Sequence, residues 1–225
     1  MLISDLLRTP EDFALIVELR VTLDTGDQIV VGTDETWQAT PAPVLESGIY
    51  DGEVYDARIP GPGVDPTTVR GVRSIEFKSP LQARRSLPVE VIEELKPVAV
   101  LHTPAGETVL DLGQNIVGWL RFKTSAPAGT RIRLQYGEVL QNDCFYNDNL
   151  RTAKAEYTYI ANGSEAIVEP TFTFFGFRYV KVTGWVGELD VNDFTGCVVH
   201  SRLDRTGEVE TSNPKVNRLF QNALW

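Results

Sequence analysis

Eight consecutive residues, Asn142-Asp143-Cys144-Phe145-Tyr146-Asn147-Asp148-Asn149, are the part of this 225-residue chain best equipped to bind a ligand. Carboxylates and amides hydrogen-bond sugar hydroxyls, and aromatic rings lie against the apolar faces of sugar rings. The same oxygens are the hard donors that calcium takes. Tyr146, Asp148 and Asn149, with Arg151 just beyond, are the candidate ligand-binding residues, and calcium is the cation to consider. A structural reading stands beside this one: Asn and Asp bond their own backbone and tolerate positive φ, so the run is also a good turn. Arg151 and Lys154 can bring a cation over a carboxylate such as Glu138, and the simplest use of that is an ion pair that orients the loop.

Elsewhere the candidates are thinner. Trp37 and the stretch Ile49 to Arg58, in which Tyr50 and Tyr55 alternate with acids, suit either a sugar cleft or an edge strand that blunts itself with charge. The second is the default. Phe172, Phe174, Phe175 and Phe177 are expected in the core, and Arg178 on a strand, packed or paired. Asn162-Gly163-Ser164 fits the N-glycosylation pattern, but Asn-Gly is first a turn signal. The chain has no nucleophile elbow, no HExxH pair, no phosphate-cradling loop and no EF-hand loop. A glycosidase needs two carboxyl groups roughly 5–10 Å apart, and spacing along strands does not place them. No catalytic residue is assigned. With only Cys144, Cys197, His102 and His200 available, no metal-ligand set is assigned either, and the two cysteines are read as free thiols.

The formal net charge of −10 repels phosphate backbones and anionic lipid, so nucleic acid and membranes are excluded as partners. No apolar run approaches the roughly 20 residues needed to span a bilayer. Residues 1–13 lack the basic start and long apolar centre of a signal peptide, so a cytoplasmic location is expected.

The elements that must position these groups are strands. Leu15 to Leu23 and Gln28 to Val31 flank Asp24-Thr25-Gly26-Asp27, which reads as a hairpin. Val69 to Phe77 alternates, and the proline-rich stretch Ile59 to Pro66 reads as an exposed loop. A composition shift at Ser79 to Pro97 suggests a connector along a sheet edge, with a domain boundary near Phe77 to Ala83. From Val98 the strand candidates are Val98–Leu101, Thr108–Leu112, Trp119–Lys123, Thr130–Tyr136, Ala155–Ile160, Phe172–Thr183 and Thr195–Val199. Short strands so regularly spaced predict two packed antiparallel sheets. Asn213 and Pro214 then open a helix whose apolar face is Val216, Leu219, Phe220, Ala223 and Leu224. A helix starting so late has little to pack against, which suggests truncation.

Several phrases, in order, carry a resemblance: Thr33 to Trp37, Ile49 to Arg58, Asp111 to Trp119, Tyr136 to Leu140, Asn149 to Lys154, Phe172 to Val180 and Ser212 to Leu219. Together they resemble the bacterial α-L-rhamnosidases. The resemblance implies an all-β chain: a partial amino-terminal rhamnosidase-like domain over residues 1–78, a concanavalin-like or jelly-roll-like β-sandwich over 79–211, and over 212–225 the start of a helical catalytic domain. It implies an inverting glycoside hydrolase that removes terminal α-L-rhamnose from plant glycosides or polysaccharides, with its acid and base in the helical domain. No residue here matches those acidic motifs. The expected role is therefore a non-catalytic accessory part. Its partners would be the helical domain of the same polypeptide and, through the full-length enzyme, rhamnose-containing glycosides. The alternatives are a stand-alone carbohydrate-binding module, or a structural domain with an exposed apolar patch.

Overall fold

A computed structural model describes residues 15–61, 69–75 and 82–224. The rest of the expected proline-rich loop, the end of the Val69–Phe77 run and most of the expected boundary segment lie outside those residues. In chain order the first strands are β1 (Glu18–Thr22), β2 (Gln28–Gly32), β3 (Gln38–Ala39), β4 (Val44–Gly48), β5 (Gly52–Asp56), β6 (Arg70–Gly71), β7 (Val89–Leu95) and β8 (Ala99–His102). Then follow β9 (Thr108–Thr124), β10 (Arg131–Gly137), β11 (Val139–Gln141), β12 (Cys144–Tyr146), β13 (Glu156–Ile160), β14 (Ala166–Val168), β15 (Phe175–Thr183) and β16 (Phe194–Ser201), with helix α1 (Pro214–Leu224) last.

The chain divides into two compact units, Met1–Pro41 with Gly61–Ala83, and Ala42–Pro60 with Arg84–Trp225. In the first, β1 and β2 form the expected hairpin, with Leu23 N–H donating to Asp27 O at 2.9 Å across the turn. Within it, β3 pairs with β6, and the Trp37 indole N–H donates to Gly32 O at 3.0 Å.

The second unit is built on a 10-stranded sheet in the order β4-β5-β13-β10-β15-β9-β16-β7, with β8 and β14 also pairing β9. The expected all-β sandwich is present, but its layers belong to one sheet that curls on itself. The 17-residue strand β9 joins them, because its first turn of ladder pairs β8 and β15 and its end pairs β16 and β14. Alternation sets the inward face: Leu110, Leu112, Ile116, Leu120 and Phe122 of β9 meet Ile132, Leu134 and Tyr136 of β10 in one core. Tyr136 stacks on Phe175 with ring centroids 4.0 Å apart, and its buried hydroxyl accepts the Leu120 N–H at 3.4 Å.

Strand β15 changes parity. Phe175 and Phe177 point into the core, then Val180 and Val182 do, because the register slips between Phe177 and Tyr179. A one-residue slip exchanges the faces of a strand. On β9 the residues between Asp111 and Ile116 are left without partners on β15 at the same place. Ahead of β15, half of the expected aromatic core lies outside it: Phe172 is 69% and Phe174 43% exposed.

The stretch Ile49 to Arg58 also departs from expectation. β5 is not an edge strand; it lies between β4 and β13, parallel to the latter. Gly52 makes that approach possible, since a Cβ there would sit 1.8 Å from the Glu156 carbonyl oxygen at a φ of +105°. The acids are used structurally. Glu53, 1% exposed, accepts the backbone N–H groups of Thr171 and Phe172 at 3.1 and 2.9 Å. Asp56 takes the Arg58 side chain through both carboxylate oxygens at 2.9 and 2.7 Å.

Candidate functional site

The polar run begins as a tight hairpin. β11 and β12 pair antiparallel, and Asn142 and Asp143 at the tip adopt φ values of +53° and +59°. Asn and Asp accept that conformation more readily than other side chains, so the structural reading of these two residues is realised. Tyr146 ends β12, half-buried and opposite Val139. Asp148 and Asn149, both exposed, form a single 3-10 turn with Leu150, and Arg151 closes it by donating its N–H to Asp148 O at 3.2 Å. Arg151 holds φ +61° and ψ −113°, a strained backbone for a residue with a side chain. The fold thus gathers Asp148, Asn149 and Arg151 on one turn with Tyr146 two residues before it. Leu150 packs against the core and fixes the turn to the sandwich.

The hairpin is held down by a residue that sequence reasoning passed over. Glu107 precedes β9, and its Oε2 accepts the Phe145 N–H and the Thr103 hydroxyl, each at 3.0 Å. Its Oε1 takes the Lys181 ammonium at 3.3 Å, and that ammonium lies 4.9 Å from the Phe145 ring centroid. Burial pushes the Glu107 carboxyl up, but the three donors together outweigh it and hold the group below its usual value. No local pattern could have revealed this. Phe145 and Lys181 lie far along the chain, and a glutamate after Pro104-Ala105-Gly106 reads only as the end of a turn.

A second fixed pair sits where β9 and β15 slip. The Arg178 guanidinium donates to Asp111 through Nε at 2.8 Å and Nη2 at 2.9 Å, so the arginine is paired on its strand as expected. Asp111 Oδ1 also accepts the Gly113 N–H at 2.7 Å, where β9 runs on through Gly113 at a φ of +73°. Burial raises the Asp111 carboxyl, and Arg178 with Gly113 outweighs that, leaving it lowered. Glu138 accepts from the Asn115 side chain at 3.3 Å. The expected Arg151–Glu138 ion pair does not occur among the described residues.

Chemically, these groups form a rigid platform with an exposed polar turn on it. Among the described residues, every carboxylate whose titration is displaced (Asp34, Asp56, Glu107 and Asp111) is displaced downward, toward firmer ionisation. A glycosidase acid needs the opposite shift. Among the described residues no group of three or more His, Cys, Asp or Glu side chains is arranged to hold a metal ion, and no helix is long and apolar enough to cross a membrane. Cys144 and Cys197 are free thiols.

Residues 101–200 match the bacterial α-L-rhamnosidase concanavalin-like domain, and residues 6–93 the α-L-rhamnosidase N-terminal domain. An α-L-rhamnosidase of Streptomyces avermitilis is 38% identical over 221 residues, which is 94% of this chain and 22% of that protein. One from an Alteromonas species is 31% identical over 93% of this chain and 24% of its own length. Among solved structures, the native α-L-rhamnosidase of Aspergillus terreus superposes with a TM-score of 0.85 at 38% identity, over 93% of this chain and 25% of that one. The chain therefore spans about a quarter of the length of the relatives it matches.

Proposed function

Since the chain belongs to the α-L-rhamnosidases, carrying their N-terminal and concanavalin-like domains, we propose that it is the non-catalytic accessory β-portion of such an enzyme. In this reading the whole enzyme removes terminal α-L-rhamnose from plant glycosides or polysaccharides, and this portion braces the helical domain that does so. The downward displacement of Glu107, Asp111 and Asp56 carries the proposal, because their donors are backbone N–H groups and paired side chains of the sandwich itself. These carboxylates hold the fold and have no proton to give at neutral pH. Helix α1 supports the bracing role: Leu219 is 68% exposed, and Val216 and Leu224 are exposed beside it, an apolar stripe suited to packing on other helices. The test is incubation of the purified chain with p-nitrophenyl α-L-rhamnoside. No nitrophenolate should appear above the protein-free rate. Turnover that persists through purification and disappears on replacing one carboxylate of this chain refutes the proposal.

A second reading, that the chain binds rhamnose itself, is favoured by the turn carrying Asp148, Asn149 and Arg151 next to Tyr146. It expects saturable calorimetric binding, with or without calcium, that Tyr146→Ala or Asn149→Ala weakens. Flat titrations reject it.

A further inference from the structure

A cleft of about 860 Å³ opens where β8, β9 and β15 meet the Gly184–Leu189 loop. We propose that it is a binding subsite for a neutral oligosaccharide, separate from the Tyr146–Arg151 turn. It rests on the carbohydrate reading above for the choice of sugar as ligand class, and on its own geometry for the rest.

Its size lies in the upper part of the roughly 300–1,000 Å³ typical of small-ligand sites, so a short run of sugar rings suits it better than one. The walls mix one aromatic ring with uncharged polar groups. Trp185 lines the cleft, and Gln135, Thr108 and Thr183 supply amide and hydroxyl groups that both donate and accept. Sugar hydroxyls need that dual character, and their C–H faces need a ring. The Trp185 ring is already fixed: it packs on Phe194 with centroids 4.8 Å apart, and its indole N–H donates to Glu188 O at 3.3 Å. A pre-positioned aromatic side chain has little entropy left to lose on binding.

Charge decides the class of sugar. The lining carries two carboxylates, Glu107 and Glu188, and two cations, Arg133 and Lys181, alongside His102. Both cations are occupied, Arg133 by Glu156 and Lys181 by Glu107. No free cation among these residues awaits a uronate or a phosphate, and the chain's charge of −10 repels either. A neutral, hydroxyl-rich ligand fits both facts.

The test is titration calorimetry of the full chain with rutinose, cellotriose and trigalacturonate at millimolar concentration, on the wild type and three variants. Gln135→Ala removes one amide and should weaken binding about fivefold, the loss expected for one hydrogen bond. Thr183→Trp places bulk in the cleft from an exposed strand position and should abolish binding while the thermal midpoint stays put. Lys215→Ala, an exposed position on α1 outside the cleft lining, should change nothing. The expected result is saturable binding of at least one neutral sugar and none of trigalacturonate. Silence with both neutral sugars overturns the proposal. So does trigalacturonate binding as tightly as they do, undiminished binding in a folded Thr183→Trp, or loss of binding in Lys215→Ala. Hydrolysis is read separately: a silent cleft on an inert chain overturns only the subsite, and nitrophenolate release overturns only the accessory reading.

Discussion

Replacing Glu107 by alanine should free the β11–β12 hairpin from the sandwich without unfolding the sheet beneath it. Two losses set the magnitude. The Phe145 N–H, 3.0 Å from Oε2, loses a charged acceptor, which is worth about 1.5–3 kcal/mol. The Lys181 contact at 3.3 Å joins side chains 25% and 20% exposed, so water and salt reduce it to about 1 kcal/mol or less. The Thr103 hydroxyl keeps the residue-107 backbone N–H as a donor at 3.1 Å, and its own lost donation is left out of the sum. The sum is about 2–4 kcal/mol against local opening, or about 30- to 700-fold faster exchange of the Phe145 amide proton. Glu107→Gln keeps an acceptor oxygen and loses only the charge, so it should cost about 1 kcal/mol and speed exchange about fivefold. Hydrogen exchange resolved at Phe145 is the assay, with the Leu134 and Val180 amides as core references. Unchanged Phe145 exchange in Glu107→Ala, or equal effects of Ala and Gln, would refute the anchoring argument.

Gly52→Ala should be far worse than Gly48→Ala. A Cβ at Gly52 would meet a carbonyl oxygen at 1.8 Å, whereas at Gly48 it meets nothing within 4 Å. The first should cost at least about 3 kcal/mol and lower the thermal midpoint by about 6–12 °C, and the second should leave it nearly unchanged; calorimetry that cannot separate them contradicts the parallel β5–β13 pairing. Asp111 sits below its ordinary value in the folded chain, so its pair with Arg178 contributes fully above about pH 4 and is lost as pH falls through the lowered value. Thermal midpoints of the wild type should therefore fall more steeply below about pH 4 than those of Asp111→Asn. Arg178→Lys should cost about 1–2 kcal/mol in urea unfolding, because one ammonium cannot reproduce the two-pronged contact. Burial pushes the Cys197 thiol up to about 11, so Ellman's reagent at pH 8 should label Cys144 alone in the native chain and both cysteines in denaturant.

What could be read from the residues was whatever depends on near neighbours. The β1–β2 hairpin follows from alternation around a glycine-containing turn, and the inward faces of the two ends of β9, read as the separate strands Thr108–Leu112 and Trp119–Lys123, from alternating apolar residues. The hairpin tip at Asn142 and Asp143 follows from side chains that tolerate positive φ. Distant pairing was not readable. β5 looked like an edge because its partner β13 begins more than 100 residues later, and a parallel ladder leaves no turn between its strands. Phe174 and Phe175 are chemically identical neighbours, and only the strand register puts one outside and the other in the core. Glu107 escaped for the same reason, since its meaning comes from the Phe145 amide and the Lys181 ammonium.

The placement of charge also explains why the exposed turn, rather than the conspicuous acids, keeps polar side chains free of the fold's own hydrogen bonds. A carboxylate that accepts fixed N–H groups has spent its hydrogen-bonding capacity on the fold and stays ionised. That is so of Glu107 and Asp111, and the 1% exposed Glu53 has both oxygens taken up by the Thr171 and Phe172 amides. Asp148 and Asn149 keep exposed side chains on a backbone held by Leu150 in the core, with Arg151 exposed beside them. Free polar groups on a rigid mount bind at a smaller entropic cost than the same groups on a mobile loop. If Glu107→Ala loosens that mount, any rhamnose affinity of the turn should fall with it, although Glu107 lies outside the turn. Affinity that survives the loosened hairpin would place the ligand elsewhere on the sandwich.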